Sequence, residues 1–343
     1  METLKELKQY LSSPRDLAIV VHRNPDGDAI GSALGLFHVL RQMGHTIRLL
    51  APSEYPPVLN WMPGVEAFII YDLKDQEAKQ ALERSELVFA LDFNALDRID
   101  KMGEYLHHAG KKMVMIDHHL DPEPFADLQV SDPTASSTCE VLYVMLEQMG
   151  LESYINREVA DCLYTGILTD TGSFSFSLSS RLFRIAGELL DRGVNNNRLQ
   201  DLLFNQLPEK HLRILGYCLY KRLEVLPEYH TAIITLSKKD YEYFKIQRGD
   251  TEGIVNYLLR IEGVKLAAFI HEQPTITKLS LRSKGDISVK EMAQKYFKGG
   301  GHKNAAGGQS FIGLEATVKK FKAILPKYKD ILTGREVVSS QEK

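Results

Sequence analysis

The sequence predicts an α/β protein: a parallel sheet flanked by helices, joined by a helical linker to a smaller α/β domain with a mixed sheet. Three observations carry this. Short apolar runs rich in β-branched residues, such as 17–21 and 87–91, alternate with helix-length segments, the pattern of strands joined by crossover helices. Acidic and histidine clusters stand just after those runs, where an open α/β sheet gathers its ligands. A chain of 343 residues is long enough for two domains, and Asn195-Asn196-Asn197 is a polar break that parts them.

In chain order, 17–21 reads as the first strand and 29–44 as an amphipathic helix stopped by Gly44. Strands follow at 46–50, 68–71, 87–91 and 113–116. Ser136-Ser137-Thr138, with Glu140, opens a helix that runs to Gly150; its hydroxyls suit a helix cap better than a phosphate contact. Another apolar helix ends at Asp170, and helices follow at 180–192 and 197–204. Together these elements predict a Rossmann-like domain over 1–190, with 191–212 as the helical linker. Beyond it, 231–236, 265–271 and 275–281 read as strands, and 251–261, 288–297 and 314–325 as helices. They give a second domain over 213–330 and a polar tail over 331–343.

The chemistry gathers at the strand ends. His22-Arg23-Asn24-Pro25-Asp26-Gly27-Asp28 follows the first strand. Pro25 and Gly27 alternate with the acids, which predicts a stiff, sharp turn. Two carboxylates so close repel unless a cation lies between them. Asp92 closes the 87–91 strand, where a turn or cap is the competing use of an aspartate. Asp117-His118-His119 follows the 113–116 strand. Asp170 ends a helix, where the dipole disfavours a carboxylate and a cation would restore the balance. His22, Asp26, Asp28, Asp92, His118 and Asp170 are too many ligands for one ion with an open position. They suit two ions sharing a carboxylate, a clamp for in-line displacement at phosphorus. Carboxylate and imidazole without thiolate favour Mn²⁺, with Mg²⁺ or Co²⁺ as substitutes.

In the second half stands Gly299-Gly300-Gly301-His302-Lys303-Asn304-Ala305-Ala306-Gly307. Three glycines let a backbone approach a ligand closely, or simply form a flexible turn. Arg282-Ser283 ends a predicted strand, either as a phosphate clamp or as an exposed pair. Arg98, six residues after Asp92, is a further candidate for a substrate phosphate.

Taken together, His-x-x-Pro-Asp-Gly-Asp-x-x-Gly-Ser, the mid-domain Asp, Asp-His-His, Asp-Thr-Gly-x-Phe and the glycine loop resemble the DHH phosphoesterase superfamily with its associated C-terminal domain, as in RecJ-like members. The resemblance runs from about residue 15 to about residue 325 and is strongest to the bacterial bifunctional oligoribonuclease and pAp phosphatase (nanoRNase) group. It implies one Mn²⁺ on His22, Asp26 and Asp92, a second on Asp28, Asp92, His118 and Asp170, and a bridging water activated by both. It implies that His119 meets the phosphate as general acid or hydrogen-bond donor, while Asp117 orients a ligand histidine. Gly299, Gly300, Gly301, His302, Arg282 and Ser283 would hold the distal nucleotide, brought over the ions by domain closure. The implied reaction is hydrolysis of short oligoribonucleotides to mononucleotides and removal of the 3′-phosphate of pAp.

A net charge of −3 offers no track for a long polyanion. The expected partners are short oligoribonucleotides, pAp or linear dinucleotides, not long duplexes. Met1-Glu2-Thr3-Leu4-Lys5-Glu6 is no signal peptide and no apolar run is long enough to span a membrane, so a cytoplasmic protein without membrane partners is expected. Cys139, Cys162 and Cys218 read as reduced core residues. Oligomeric state stays open, a homodimer included. The rival reading is a pApA or cyclic di-AMP phosphodiesterase. A pyrophosphatase or polyphosphatase would lack the glycine loop, a RecJ-type exonuclease would be longer, and a non-catalytic nucleotide sensor would be expected to have lost a ligand.

Overall fold

The computed structural model describes residues 3–247, 249–301 and 303–334; His302 and residues 335–343 of the expected tail lie outside them. The chain divides into two compact units, one up to Gln206 and one from Leu207.

The first unit opens with α1 (Leu4–Tyr10), β1 (Asp16–Val21), α2 (Gly27–Gln42), β2 (Thr46–Ala51), β3 (Phe68–Ile70), α3 (Asp75–Arg84) and β4 (Leu87–Leu91). It continues with α4 (Asp100–Ala109), β5 (Met113–Asp117), β6 (Leu128–Ser131), α5 (Thr138–Gln148), α6 (Arg157–Asp170), α7 (Ser180–Asp191) and α8 (Asn196–Gln200). All six strands run parallel in the order β3-β2-β1-β4-β5-β6. The strand order therefore reverses between β1 and β4, and a crevice opens beyond their carboxyl ends. The strands are buried on both faces. Leu17, Ile19, Val21 and Phe89 join one core with α2, α5, α6 and α7, while Ala18, Val20, Val88 and Ala90 join the other with α3 and α4. That two-sided burial explains the near-continuous apolar runs in the sequence.

Local details differ from expectation, the sixth strand β6 among them. The helix after β1 starts at Gly27, because the Asp26 side chain accepts hydrogen bonds from the Asp28 and Ala29 N–H groups and caps it. In that turn the left-handed residue is Asn24, with φ 53°, and not Gly27. Gly27 is instead a contact residue: a Cβ there would lie 2.5 Å from the Thr169 side chain. Cys139, Cys162 and Cys218 are free and buried, as the sequence led us to expect.

The second unit holds α9 (Glu209–Tyr217), β7 (Leu223–Leu226), β8 (Thr231–Leu236), α10 (Lys238–Phe244), α11 (Ile254–Leu258), β9 (Leu266–Glu272) and β10 (Thr277–Ser283). After these come α12 (Val289–Phe297), β11 (Gly300–Gly301), β12 (Ala305–Ser310), α13 (Leu314–Ile324) and α14 (Lys329–Thr333). Its sheet runs β11-β12-β10-β9-β8-β7, mixed because only β8 and β9 are parallel. α11 starts later than expected because Gly253, at φ 74°, sits immediately before its first turn. β11 and β12 escaped the sequence reading because Gly and Ala carry no strand signature.

Candidate active site

Four loops converge on the β1/β4 crevice. His22 follows β1, Asp92 follows β4, and Asp117 ends β5 with His118 and His119 beyond it. Asp26 caps α2, Asp28 lies in its first turn, and Asp170 is the last residue of α6.

The side chains meet as three groups, each with its ligand atoms within 4.8 Å of one another: His22, Asp26 and Asp92; Asp28, His118 and Asp170; and Asp92, His118 and His119. Asp92 stands between the sets. Its Oδ2 is 3.3 Å from His22 Nε2, and its Oδ1 is 3.7 Å from His118 Nε2. His118 Nε2 is also 3.3 Å from Asp170 and 3.9 Å from Asp28. His22 donates Nδ1–H to the Arg23 carbonyl at 2.9 Å, so Nε2 is the nitrogen offered to the acids.

Asp92 holds φ 64°, a left-handed backbone that costs an aspartate about 1 kcal/mol or more. Strain of this kind persists where the surroundings over-determine it. Here the Asp92 N–H donates to the Ile116 carbonyl and its Oδ1 accepts from the Thr138 hydroxyl at 2.8 Å.

Burial of so many acids is costly unless something offsets it. Part of the offset is α5, whose first N–H groups meet Asp28: Thr138 N at 2.5 Å and Cys139 N at 2.9 Å. Such contacts at a helix start contribute up to about 2 kcal/mol, less than the several kcal/mol of burying an ion. The remainder appears as proton affinity. Burial, with the charge of Asp92, pushes Asp28 up to about 7 even against His118. Burial and the charges of Asp28, Asp26 and Asp92 push Asp170 well above the carboxylate range. Burial pulls His22 down, but its hydrogen bond to Asp92 and the charges of Asp92 and Asp26 win and raise it to about 9. Burial also acts upward on Asp92, yet the His22 hydrogen bond and the three imidazoles hold it well below the usual range. The donors are carboxylate and imidazole without thiolate, since burial and Asp28 push Cys139 far above the thiol range. Both the donor chemistry and the acid crowding fit divalent cations.

Asp117 is fully buried and grips His119, accepting its backbone N–H at 3.0 Å and its Nδ1–H at 2.7 Å. Burial lowers the His119 affinity for protons, but Asp117 and Asp92 outweigh it and leave it raised, with Arg98 opposing. The aspartate thus orients His119, while His22 is oriented by a backbone carbonyl. Arg98 lies half-buried in the turn after β4, and its carbonyl accepts from Arg23 N at 2.9 Å.

What brings Asp170 to Asp28 is close helix packing that sequence reasoning missed. On α2, a Cβ at Gly31 would lie 2.6 Å from the Cys162 carbonyl, and one at Gly35 would lie 2.9 Å from Leu163. On α6, a Cβ at Gly166 would lie 2.3 Å from Cys139 Sγ and 2.7 Å from Asp28 Oδ1. The Gly27, Gly31, Gly35 spacing of four was the available signal. Thr138 was missed too. The capping role expected for the Ser-Ser-Thr triplet is carried by Ser137, which accepts from Glu140 N, leaving Thr138 for the carboxylates.

In the second unit, Arg282 on β10 and the glycine segment lie on either side of β12. Arg282 pairs with Ala305, and Gly301 and Gly300 pair with Ala306 and Gly307. Burial lowers the Arg282 proton affinity, and Glu252 opposes this. The glycines divide in use. A Cβ at Gly299 would lie 1.9 Å from the Gly307 carbonyl and one at Gly301 would lie 2.5 Å from that of Ala305, whereas Gly300 has nothing within 4 Å. The first two serve strand packing, and Gly300 leaves open space. Sequence reasoning grouped Ser283 with Arg282. The structure instead commits its buried hydroxyl to the β10–α12 turn, donating to the Ile287 carbonyl at 2.6 Å and accepting from Asn304 at 2.9 Å.

A doubly wound sheet whose switch point gathers acids and imidazoles, carried with a mixed-sheet unit, suits metal-assisted hydrolysis of phosphoric esters. Residues 16–167 match the DHH family, N-terminal domain, and residues 231–329 match the DHHA1 domain; the chain belongs to the DHH family. It is 29% identical over 304 residues to the bifunctional oligoribonuclease and PAP phosphatase NrnA of Bacillus subtilis, covering 87% of this chain and 91% of that protein. It is 30% identical over 299 residues to the probable bifunctional oligoribonuclease and PAP phosphatase NrnA of Streptococcus mutans, covering 85% and 89%. Among solved structures it is similar to an exopolyphosphatase-related protein from Bacteroides fragilis, with a TM-score of 0.94, 37% identity and coverage of 96% of this chain and 97% of that one. The fold expected from the sequence is thereby shown.

Proposed function

We propose that this enzyme is a manganese-dependent phosphoesterase that hydrolyses short oligoribonucleotides to mononucleotides and removes the 3′-phosphate of pAp. The observation that carries the reading is the position of Asp92, with one carboxylate oxygen facing His22 and the other facing His118. The substrate class is supported by the names of the relatives, matched over most of both chains.

In this reading His22, Asp26 and Asp92 hold one Mn²⁺, and Asp28, Asp92, His118 and Asp170 hold the second, with Mg²⁺ or Co²⁺ as substitutes. Two such ions, when bound, polarise the phosphoryl group and acidify a water. The protein's own groups do the rest. His119, clamped at Nδ1 by Asp117, presents Nε2 to the substrate and carries the proton for the leaving oxygen. Arg98 adds positive charge beside it. In the second unit Arg282 and the open face at Gly300 bind the nucleotide remote from the reacting phosphate.

The test is a panel assay in Mn²⁺ with pAp, RNA of two to five nucleotides, a long single strand, pApA, cyclic di-AMP and pyrophosphate. pAp and short RNA are expected to give the highest kcat/KM. Preference for cyclic di-AMP or pApA would install the phosphodiesterase reading, and preference for pyrophosphate would overturn the nucleotide reading.

A further inference from the structure

We propose that Thr138 is the positioning residue of the centre: its hydroxyl sets the plane of the Asp92 carboxylate while its backbone N–H anchors Asp28. The inference rests on the two-ion reading above and adds a residue that contacts neither ion in that scheme.

A shared carboxylate must keep one oxygen toward each ion. An aspartate's terminal torsion is broad and roughly two-fold, so its own rotamer does not hold that plane. Thr138 supplies the lock. Its Oγ1–H donates to Asp92 Oδ1 at 2.8 Å, on the oxygen that faces His118. One lone pair of Oδ1 is used and the other stays available for a ligand. The same residue's N–H reaches Asp28 Oδ2 at 2.5 Å. Asp28 and Asp92 are distant in sequence and belong to different donor groups, so a single residue ties the two together.

Thr138 is suited to this task. It is fully buried, and its β-branch restricts χ1. It opens α5, where Ser137 caps the helix. The fully buried Glu140 holds the preceding turn, taking Ser136 N at 2.7 Å on one oxygen and Arg181 Nε at 2.6 Å on the other. Arg181 is tied in turn to Asp132 at 2.9 Å. The hydroxyl therefore reaches Asp92 from a fixed frame that is not itself part of the donor set.

The experiment is Mn²⁺ titration by calorimetry of the full-length, metal-stripped chain, comparing wild type with Thr138→Val, Thr138→Ser and Thr138→Ala. Valine keeps the shape and removes the hydroxyl; serine and alanine differ by the hydroxyl alone. We expect Thr138→Val and Thr138→Ala to weaken both Mn²⁺ sites together by about 10–100-fold, the usual effect of deleting a group that orients a ligand, and Thr138→Ser to stay near wild type. Hydrolysis by Thr138→Val is expected to recover as Mn²⁺ is raised to saturation. Should the valine variant fail to fold, the serine–alanine pair decides. Wild-type affinity in Thr138→Val or Thr138→Ala, or equal loss in Thr138→Ser, overturns the role. A wild-type chain that binds no Mn²⁺ would instead sink the two-ion reading itself.

Discussion

The two units are built on opposite electrostatics. Up to residue 206 the chain has 18 Lys and Arg against 30 Asp and Glu, a net −12; from 207 onward it has 24 against 15, a net +9. The whole-chain value of −3 hides this division. The first unit concentrates buried acids, Asp92 with its strained backbone among them, at a strand-order reversal and offsets them with imidazoles and a helix start. The second offers a half-buried arginine, glycine backbone and surface lysines. In the proposed reading one unit holds cations and the other a phosphorylated ligand, and the changes below should separate those tasks.

The largest effect is expected from Asp92→Asn. Asparagine tolerates the left-handed backbone but cannot serve two cations as a carboxylate does. Loss of a two-ion clamp should lower kcat/KM by about a thousandfold, roughly 4 kcal/mol of barrier. Steady-state kinetics in saturating Mn²⁺ checks this; retention of a tenth of the wild-type value would remove the shared-ligand role.

Next comes a pair of glycines. Gly166→Ala places a Cβ 2.3 Å from Cys139 Sγ and 2.7 Å from Asp28 Oδ1. Overpacking of this kind costs about 1–3 kcal/mol, and the displaced Asp28 should bind metal less well. Gly300→Ala meets nothing within 4 Å, so thermal stability should be unchanged and only the KM for nucleotide should rise. Thermal melts and metal titration of both variants would show it; equal destabilisation would erase the distinction between packing glycine and open glycine.

That pair also marks the limit of what was legible in the sequence. His22, Asp26, Asp28, Asp92, His118 and Asp170 could be read because each stands at a predictable element end, and the structure does bring them together. Strands at 87–91 and 231–236 were read to the residue because apolar runs bounded by polar turns have sharp ends. Thr138 and Gly166 could not be read. Their significance lies in contacts remote in sequence, Thr138 with Asp28 and Asp92 and Gly166 with Asp28 and Cys139, and locally each looks like ordinary helix chemistry. Gly299–Gly301 looked like one ligand loop, yet two of its glycines serve the hairpin.

Acid and base should stress the units in opposite ways. In the metal-free chain the folded pKa values of Asp28 (about 7), Asp170 and His22 (about 9) are raised. Their contribution to stability is therefore present at low pH and is lost as pH rises toward 9. In the second unit burial, with Lys278, lowers His271 to about 4, so its contribution is present above its ordinary pKa and is lost as pH falls through 4. Denaturation of metal-free protein, followed through Trp61, the single tryptophan, reports the first unit. Its stability is expected to fall from pH 5 to pH 9 and to level out once Mn²⁺ is added. A flat metal-free profile would mean the acids are already compensated.

The smallest effect is expected from Arg282→Ala. In the proposed reading it binds nucleotide away from the reacting phosphate, so KM should rise by about tenfold with little change in kcat, the signature of lost uniform binding. A fall in kcat at constant KM would move Arg282 into the chemistry.

The most direct test of the central claim is anomalous diffraction from crystals of the full chain grown with Mn²⁺. Two peaks about 3.5–4 Å apart are expected, one beside His22 and Asp26, the other beside Asp28, His118 and Asp170, with Asp92 touching both. A single peak, or two peaks of which only one touches Asp92, would contradict the account.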